Sequence, residues 1–358
     1  MNLPLNLAEY EALARDRLER SVWSYYAGGA DDEVTLRENP LAWQRLRLRP
    51  RVLVDVTNTD TSTTVLGETM AMPVLTAPCA LNRLAHPDGE LAVARATANA
   101  GVIQVLSTVS STSLEEVAAA SNGKRWFQLY CYTDREITAD LVRRAESVGY
   151  SAICLTVDLP VLGRREREIR DGFTAPDGIT MRNLEPYAKD VMPAAAGHTA
   201  LARYVSERWD ARLTWDVIPW LRSVTRLPIV VKGILTAEDA RVAVHHGVDA
   251  IIVSNHGGRQ LDTVPTGAEA LPEVVAAVAG KCEVLVDGGI RRGTDVVKAI
   301  ALGARAVLIG RPYLWGLAVD GEAGVARVLQ LLRDEIALAM ALAGRPTVPE
   351  LDATLVVR

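Results

Sequence analysis

A histidine and an arginine stand three residues apart in the stretch SNHGGRQ, residues 254–260, directly after a run of apolar residues. The imidazole of His256 can accept a proton near neutral pH. The guanidinium of Arg259 can hold a carboxylate through two parallel hydrogen bonds. His256 differs from the other histidines because a buried strand precedes it and two glycines follow it. This pattern predicts a general base beside a carboxylate-binding site.

Further polar or small residues follow other apolar runs of the chain. Lys232 ends one such run and would place a cation where it can stabilise developing negative charge. Each of these residues alone could be an ordinary cap of a strand, but together they indicate a polar ligand. The set comprises Ala77, Pro78, Cys79, Ala80, Ser107, Gln128, Tyr130, Thr156, Asp158, Lys232, Ser254, Asp287, Gly310 and Arg311.

A phosphate site is predicted from the stretch VDGGIRRGTDVVKA, residues 286–299. Its two glycines, Gly288 and Gly289, precede a helix that starts near Gly293. Backbone N–H groups at such a turn can approach an anion, and the helix N-terminus favours negative charge. The pair Gly310-Arg311 supplies a second half of the site. This signal indicates phosphate but does not select one chemistry.

The elements that must position these residues are eight apolar runs, rich in Val, Ile and Leu. Their continuous apolar character is typical of parallel strands that are buried on both faces. The predicted strands are Val74–Ala77, Ile103–Leu106, Trp126–Leu129, Ala152–Val157, Ile229–Lys232, Ala250–Ser254, Val284–Asp287 and Ala306–Ile309.

Helical stretches alternate with these strands and give eight βα units over about 250 residues, as in a (β/α)8 TIM barrel. The predicted helices include Asp88–Ala98, Asp134–Ser147, Ala237–His246 and Gly293–Leu302. An open doubly wound sheet is the alternative, but its early GxGxxG motif is missing.

The sequence predicts one domain, residues 1–358, with three parts. Residues 1–72 form an N-terminal helical extension and residues 73–345 form the barrel. A long loop, residues 159–212, interrupts the barrel after its fourth strand. A loop of this length is typical of an active-site wall or lid.

Composition argues against several classes of function. The net charge is −5 and basic residues form no stripe, so nucleic acid is not an expected partner. The four cysteines lie far apart, without the spacing of a metal site or a disulfide framework. No apolar run reaches the roughly 18 residues needed to span a bilayer. We therefore expect a cytoplasmic protein without a metal ion or a membrane partner.

At this point the motifs resemble a known family, the FMN-dependent 2-hydroxy acid oxidases and dehydrogenases that include glycolate oxidase and lactate oxidase. The resemblance covers nearly the whole chain. Its most specific motifs are YYAGGA (25–30), FQLY (127–130), LTVD (155–158), LGRRE (162–166), VKG (231–233), SNHGGRQLD (254–262) and DGGIRRGTD (287–295).

The resemblance implies oxidation of an L-2-hydroxy acid, the (S) form, to a 2-oxo acid, and it assigns roles to named residues. His256 is the implied catalytic base, and Asp158 stabilises the imidazolium that forms. Tyr130 hydrogen-bonds the oxygen on the reacting carbon. The implied ligands of the substrate carboxylate are Tyr25, Arg165 and Arg259.

The implied cofactor is FMN, bound tightly but not covalently. FMN is favoured over FAD because the barrel offers one phosphate site and no adenosine-binding fold. Lys232 is placed at the N1/C2 edge of the flavin. The implied contacts of the isoalloxazine ring are Ser107, Gln128, Thr156, Ser254 and the backbone of Ala77, Pro78, Cys79 and Ala80. The implied contacts of the ribityl chain and phosphate are Asp287, Gly288, Gly289, Arg291, Gly310 and Arg311.

One position departs from the family pattern. Val109 stands where the glycolate oxidases have a tryptophan that walls the substrate pocket. We therefore expect a substrate larger than glycolate, such as lactate, a medium-chain hydroxy acid or an aryl hydroxy acid like mandelate. The alternative is that a neighbouring side chain from the long loop refills the space.

Ala80 matches an alanine common in the oxidases, so molecular oxygen is the expected electron acceptor and hydrogen peroxide the product. A soluble dehydrogenase with another acceptor is the alternative. Two more distant alternatives are an isomerase that uses reduced FMN and a non-redox phosphate-binding barrel in which Lys232 forms a Schiff base or binds phosphate. By analogy with relatives, a homotetramer or octamer is expected.

Overall fold

Eight parallel strands close into a barrel at the centre of the protein. The computed structural model describes residues 3–187 and 208–357. Numbered in chain order, the barrel strands are β4 (Val74–Thr76), β5 (Gln104–Leu106), β6 (Arg125–Leu129), β7 (Ile153–Thr156), β8 (Ile229–Ile234), β9 (Ala250–Val253), β10 (Glu283–Asp287) and β11 (Ala306–Ile309). Each strand pairs with the next, and β11 pairs with β4 to close the ring.

The predicted TIM barrel is thereby confirmed, and every predicted strand lies within two residues of its observed bounds. These strands could be recognised as apolar runs because the barrel buries them. All residues of β4, β6 and β11, for example, are buried. Burial on both faces removes the alternation of polar and apolar residues that a half-exposed strand would show.

Helices surround the barrel, and several begin at a side chain that caps their first turn. Thr236 accepts a hydrogen bond from the N–H of Asp239, and Asp134 accepts one from Glu136. The described helices are α1 (Leu7–Arg17), α2 (Arg20–Ala27), α3 (Val34–Arg45), α4 (Gly89–Ala100), α5 (Leu114–Ala120), α6 (Arg135–Ser147), α7 (Glu166–Arg170), α8 (Val217–Val224), α9 (Ala237–His245), α10 (Gly267–Val278), α11 (Gly293–Ala301) and α12 (Arg311–Leu342). None of them is long and apolar enough to cross a membrane.

The N-terminal extension contains α1–α3, as predicted, and three short strands in addition. β2 (Thr63–Val65) and β3 (Glu68–Met70) form a hairpin. β1 (Arg47–Leu48) pairs antiparallel with β12 (Val356–Val357), so the segment that follows α3 is joined to the last described residues.

The long loop after β7 is not entirely irregular. It contains α7 and a 3-10 segment, Arg182–Tyr187. The predicted loop, residues 159–212, includes residues 188–207, which lie outside the described part of the chain. The described parts bring Arg165 and Trp209 to the barrel mouth.

Candidate active site

A cleft opens at the carboxyl ends of the barrel strands, where a TIM barrel carries its active site. It encloses about 1180 Å³, including space that is open to solvent. Nineteen of the predicted site residues line it: Tyr25, Ala77, Pro78, Cys79, Ala80, Ser107, Val109, Tyr130, Thr156, Arg165, Lys232, His256, Arg259, Asp287, Gly288, Gly289, Arg291, Gly310 and Arg311. The other three, Gln128, Asp158 and Ser254, lie behind the lining and contact it through hydrogen bonds.

His256 follows β9 in a left-handed turn and meets Asp158, which follows β7. The Nδ1 atom of His256 lies 2.9 Å from Oδ1 of Asp158. His256 has φ of +57°, and the next two residues are glycines with positive φ, so the chain turns sharply and directs the imidazole into the cleft. The turn therefore fixes the position of the candidate base.

A glycine in β8 allows this carboxylate to come close. Gly233 has φ of +116°, and a Cβ at that position would lie 2.6 Å from Cβ of Asp158. The register of β8 against β9 shifts between Lys232 and Ile234. This irregularity makes the room that Asp158 occupies.

The pKa values of Asp158 and His256 both lie below their usual values, for different reasons. Burial alone would raise the pKa of Asp158, but the charge and hydrogen bond of His256 outweigh it and the pKa lies below its usual value. Burial lowers the pKa of His256, and the attraction of Asp158 only partly opposes this. An ionised Asp158 beside a neutral His256 results near neutral pH.

Lys232 lies on the floor of the cleft, between a hydroxyl and a carboxylate. Its Nζ donates to Oγ of Ser254 at 2.9 Å and lies 3.2 Å from Oδ2 of Asp287. The same Ser254 Oγ accepts from the backbone N–H of His256 at 3.1 Å. Burial would lower the pKa of Lys232, but Asp287 and Asp158 raise it above its usual value, so the lysine is a fixed cation.

Two arginines, Arg165 and Arg259, line another part of the cleft. Arg259 donates to the backbone oxygen of Tyr25 at 2.5 Å, and its guanidinium lies 5.3 Å from the centre of the Tyr25 ring. Arg165, only 4% exposed, lies 3.7 Å from the carboxylate of Glu168. Burial and then the charge of Arg259 lower the pKa of Arg165 to about 10. Buried Arg165 and half-buried Arg259 bring two cations together with one carboxylate beside Arg165, which favours the binding of an anion.

Polar atoms without partners lie around the barrel mouth. Gln128 accepts at Oε1 from Ser107 and from the N–H of Thr108, but its Nε2 has no acceptor among the described residues. Oδ1 of Asp287 likewise accepts no hydrogen bond from any described residue. Buried polar groups are normally paired. A polar ring with donors and acceptors along its edge would satisfy both.

The predicted phosphate loop has the geometry of an anion site. Gly288 and Gly289 follow β10 with φ of +93° and +81°. A Cβ on Gly289 would lie 2.2 Å from the backbone oxygen of Asn39, so only glycine fits there. Burial lowers the pKa of Arg291, and burial followed by repulsion from Arg259 lowers that of Arg311 to about 9. Among the described residues Arg311 pairs with no carboxylate, and Arg291 pairs only with that of Glu11 at 3.9 Å, so both cations suit a phosphate group.

The donor set as a whole therefore fits FMN: unpaired amide and carboxylate groups for a flavin edge, a fixed cation beside them, and a phosphate site on the neighbouring strands. Among the described residues, no group of three or more His, Cys, Asp or Glu side chains could hold a metal ion.

Ten of the residues that line the cleft were not predicted as site residues, and one of them comes from the end of the long loop. Trp209, at the end of the long loop, lines the cleft and stacks on Tyr130 with ring centres 3.9 Å apart. Val109, which was predicted, lines the same cleft. The sequence around Trp209 has no periodicity, and its contact with Tyr130 joins segments far apart in the chain, so no local signal could have found it.

Comparison with known proteins gives the same family for nearly the whole chain. The profile of the FMN-dependent dehydrogenase family matches residues 14–358. L-lactate oxidase of Nostoc sp. is 52% identical over 355 residues, which are 98% of this chain and 97% of that protein. Glycolate oxidase 3 of Arabidopsis thaliana is 52% identical over 349 residues, 98% of this chain and 95% of that protein.

Solved structures agree with this match. The crystal structure of a mandelate oxidase has a TM-score of 0.90 and 47% identity, and covers 98% of this chain and 97% of its own. Mandelate oxidase with (S)-4-hydroxymandelic acid has a TM-score of 0.93 and 47% identity, with 97% of both chains covered. The chain belongs to the FMN-dependent dehydrogenase family.

Proposed function

We propose that this enzyme is an FMN-dependent (S)-2-hydroxy acid oxidase whose substrate is larger than glycolate. It converts the hydroxy acid to the 2-oxo acid and passes the electrons to molecular oxygen, which gives hydrogen peroxide. The names of its relatives, L-lactate oxidase, glycolate oxidase and mandelate oxidase, support 2-hydroxy acids as the substrate class.

The observation that carries the proposal is the bond between His256 and Asp158. An ionised carboxylate can only accept hydrogen bonds, so Nδ1 of His256 carries the proton and Nε2 has the free lone pair. His256 lines the cleft, so Nε2 is the ring nitrogen available to a substrate there. A neutral imidazole oriented in this way is a general base.

The substrate carboxylate is bound by Arg165 and Arg259, with Tyr25 beside them. Their charges lie in a part of the cleft where burial weakens screening by water. Burial keeps the pKa of Tyr130 above its usual value, so its hydroxyl stays protonated and can donate to the oxygen on carbon 2. These contacts orient the hydroxy acid with carbon 2 facing the base.

Oxidation of a secondary alcohol to a ketone removes two electrons and two protons from the substrate. His256 takes one of these protons at Nε2, and Asp158 then faces an imidazolium at 2.9 Å, which its charge stabilises. FMN, held by the residues named below, would supply the acceptor for the two electrons and for the second proton. We propose that Lys232 stabilises the negative charge that this adds at the cofactor's edge.

The residues that would hold FMN are those of the barrel mouth and of the phosphate loop. The isoalloxazine ring, or the groups that hold it, would be contacted by Ser107, Gln128, Thr156, Ser254 and the backbone of Ala77–Ala80. The ribityl chain and phosphate would be contacted by Asp287, Gly288, Gly289, Arg291, Gly310 and Arg311.

The size of the substrate rests on Val109. A valine at the cleft wall leaves space for a side chain on carbon 2 that glycolate lacks. A steady-state panel of glycolate, L-lactate, 2-hydroxyoctanoate and (S)-mandelate tests this: we expect a lower kcat/KM on glycolate than on L-lactate and (S)-mandelate. A maximum on glycolate would contradict the proposed size, and no oxidation of any member would contradict the proposed function.

The electron acceptor is tested by the yield of hydrogen peroxide. One peroxide per 2-oxo acid in air-saturated buffer is expected of an oxidase. Little peroxide, together with fast turnover on an added dye in the absence of oxygen, would instead indicate the alternative, a soluble dehydrogenase.

Assembly and location complete the proposal. We propose a homotetramer or octamer in the cytoplasm, by analogy with relatives for the assembly. For the location, the support is that all four cysteines are free thiols. Light scattering of the purified protein and fractionation of cells test the two statements.

A further inference from the structure

Trp209 is held firmly at the cleft by its neighbours in the chain. The backbone at Trp209 forms an antiparallel bridge with Tyr132. On either side, the N–H of Asp210 donates to the oxygen of Cys131 at 3.0 Å, and the N–H of Thr133 donates to the oxygen of Arg208 at 2.9 Å. The end of the long loop is therefore fastened to the segment that follows β6, which also carries Tyr130.

The carboxylate of Asp210 strengthens this attachment. It lies 2.9 Å from the guanidinium of Arg135, at the start of α6, and is almost fully buried. A charge-assisted hydrogen bond in a buried position fixes the neighbouring backbone more firmly than one at the surface. The position of the Trp209 backbone is thus determined by groups outside the catalytic set.

The indole itself is oriented by stacking. Its ring lies 3.9 Å from that of Tyr130 with an interplanar angle of 21°, and the residue is 7% exposed. Its Nε1–H has no acceptor among the described residues. Because no hydrogen bond directs the ring, stacking and packing must do so. Trp209 therefore acts as a flat apolar wall.

This wall separates two cavities. A second cavity of about 930 Å³ lies beside the active-site cleft, and Trp209 lines both. Leu159 and Tyr130 are shared in the same way. The second cavity is lined by apolar residues such as Leu213, Trp215 and Ile218. A shorter side chain at position 209 would join the two spaces.

We propose that Trp209 determines specificity by closing the side-chain pocket of the substrate. This inference rests on the proposed function. Arg165, Arg259 and His256 fix the carboxylate and carbon 2 at the polar side of the cleft. The substituent on carbon 2 then meets the apolar residues Val109, Leu162 and Trp209, which also line the cleft. The pocket admits a compact aryl side chain, as in mandelate, and excludes a long unbranched chain, as in 2-hydroxyoctanoate.

The test is the ratio of kcat/KM for (S)-mandelate to that for 2-hydroxyoctanoate in four variants. We expect Trp209→Ala and Trp209→Leu to lower the ratio about tenfold or more, because a hydrophobic contact of this size discriminates substrates by that order. Trp209→Phe keeps a stacked ring and should stay close to the unmodified enzyme. Leu338→Ala is the control, because Leu338 is 59% exposed on α12 and lines neither cavity.

Binding gives a readout that does not depend on turnover. Phenylacetate and octanoate carry a carboxylate but no hydroxyl, so they cannot be oxidised. Calorimetric titration of the holoenzyme variants should show octanoate binding more tightly to Trp209→Ala than to the unmodified enzyme, and phenylacetate more weakly. Either variant, Ala or Leu, suffices if the other does not fold.

The outcomes separate this inference from the proposed function. If the unmodified enzyme oxidises no 2-hydroxy acid, the proposed function is wrong. If it oxidises them and the ratios of kcat/KM and of binding stay unchanged in Trp209→Ala and Trp209→Leu, the role of Trp209 is overturned. A fall of the ratio in Trp209→Phe equal to that in Trp209→Ala would also overturn it, since the stacked ring would then not be the wall.

Discussion

The Nδ1 atom of His256 lies 2.9 Å from Oδ1 of Asp158, although the two residues follow different strands, β9 and β7. Gly233 permits this approach, because any side chain there would overlap Asp158. The remaining oxygen of Asp158, Oδ2, has no donor among the described residues. The carboxylate is thus directed at the imidazole alone, as expected of a group that stabilises a transient imidazolium.

Replacing Asp158 by Asn should slow turnover without removing FMN. The amide keeps the shape of the side chain but loses the charge that stabilises the protonated His256. A hydrogen bond to a charged group contributes about 1.5–3 kcal/mol, so we expect kcat to fall about tenfold to a hundredfold. Asp352→Asn, a remote carboxylate paired with Arg345, is the matched control. An unchanged kcat in Asp158→Asn would contradict the role.

The pH profile of kcat/KM should show the state of the base. His256 must be neutral to accept a proton. kcat/KM therefore rises as the pH rises through the pKa of His256 in the free enzyme. Burial places that pKa below the usual value of 6.5, and full activity is expected already in the mildly acidic range. Asp158 raises the pKa of His256, so Asp158→Asn should move the acidic limb to still lower pH. A shift to higher pH would contradict this arrangement.

Replacing His256 should remove turnover and leave the cofactor bound. Asn is the suitable substitution because it tolerates the left-handed backbone at this position better than Ala does. A general base contributes about 10²–10⁴-fold to the rate, and kcat should fall by that factor. FMN content is measured from flavin absorbance after gel filtration, with His245→Asn at the exposed end of α9 as control. Loss of flavin in His256→Asn would indicate that the side chain holds the cofactor instead.

The barrel could be predicted because its strands are buried on both faces and therefore appear as continuous apolar runs. The polar residues directly after those runs then had to meet at one rim. His256, Lys232 and the glycines of the phosphate loop could be placed in one site on this reasoning alone.

Other features depend on contacts between distant segments and could not be predicted. The pairing of β1 with β12 joins two short segments that are about 300 residues apart in the chain. Trp209 stacks on Tyr130 only because the long loop, which leaves β7, comes back to the segment that follows β6. The close approach of Gly233 to Asp158 likewise depends on a register shift in β8. Neither periodicity nor residue type carries this information.

Arg291 should contribute to FMN affinity through the phosphate. Its side chain is 26% exposed, and its nearest carboxylate, that of Glu11, is 3.9 Å away. We expect Arg291→Gln to raise the Kd of FMN about tenfold to a hundredfold, the order of a lost charge-assisted hydrogen bond. Arg292→Gln is the matched control, since the neighbouring side chain is 54% exposed and pairs with Glu335. Quenching of flavin fluorescence during reconstitution of the apoprotein gives both constants. Equal values for the two variants would remove Arg291 from the phosphate site.

Val109→Trp should reverse the preference for large substrates. Val109 lines the cleft, and its N–H donates to Oγ of Ser107 at 3.1 Å, so its backbone cannot easily withdraw to make room for an indole. The added indole must therefore occupy the part of the cleft in which the substrate side chain would bind. We expect the kcat/KM ratio of (S)-mandelate to glycolate to fall about tenfold or more.

The control for this change is Val161→Trp, because Val161 is 60% exposed and does not line the cleft. FMN content should stay the same in both variants, which separates a filled pocket from a damaged cofactor site. If the ratio does not change in Val109→Trp, the space beside Val109 is already filled in the unmodified enzyme. Trp209 would then be the side chain to examine, because it comes from the long loop and lines the same cleft. A ratio restored in Val109→Trp by the further change Trp209→Ala would show that the two side chains share one pocket.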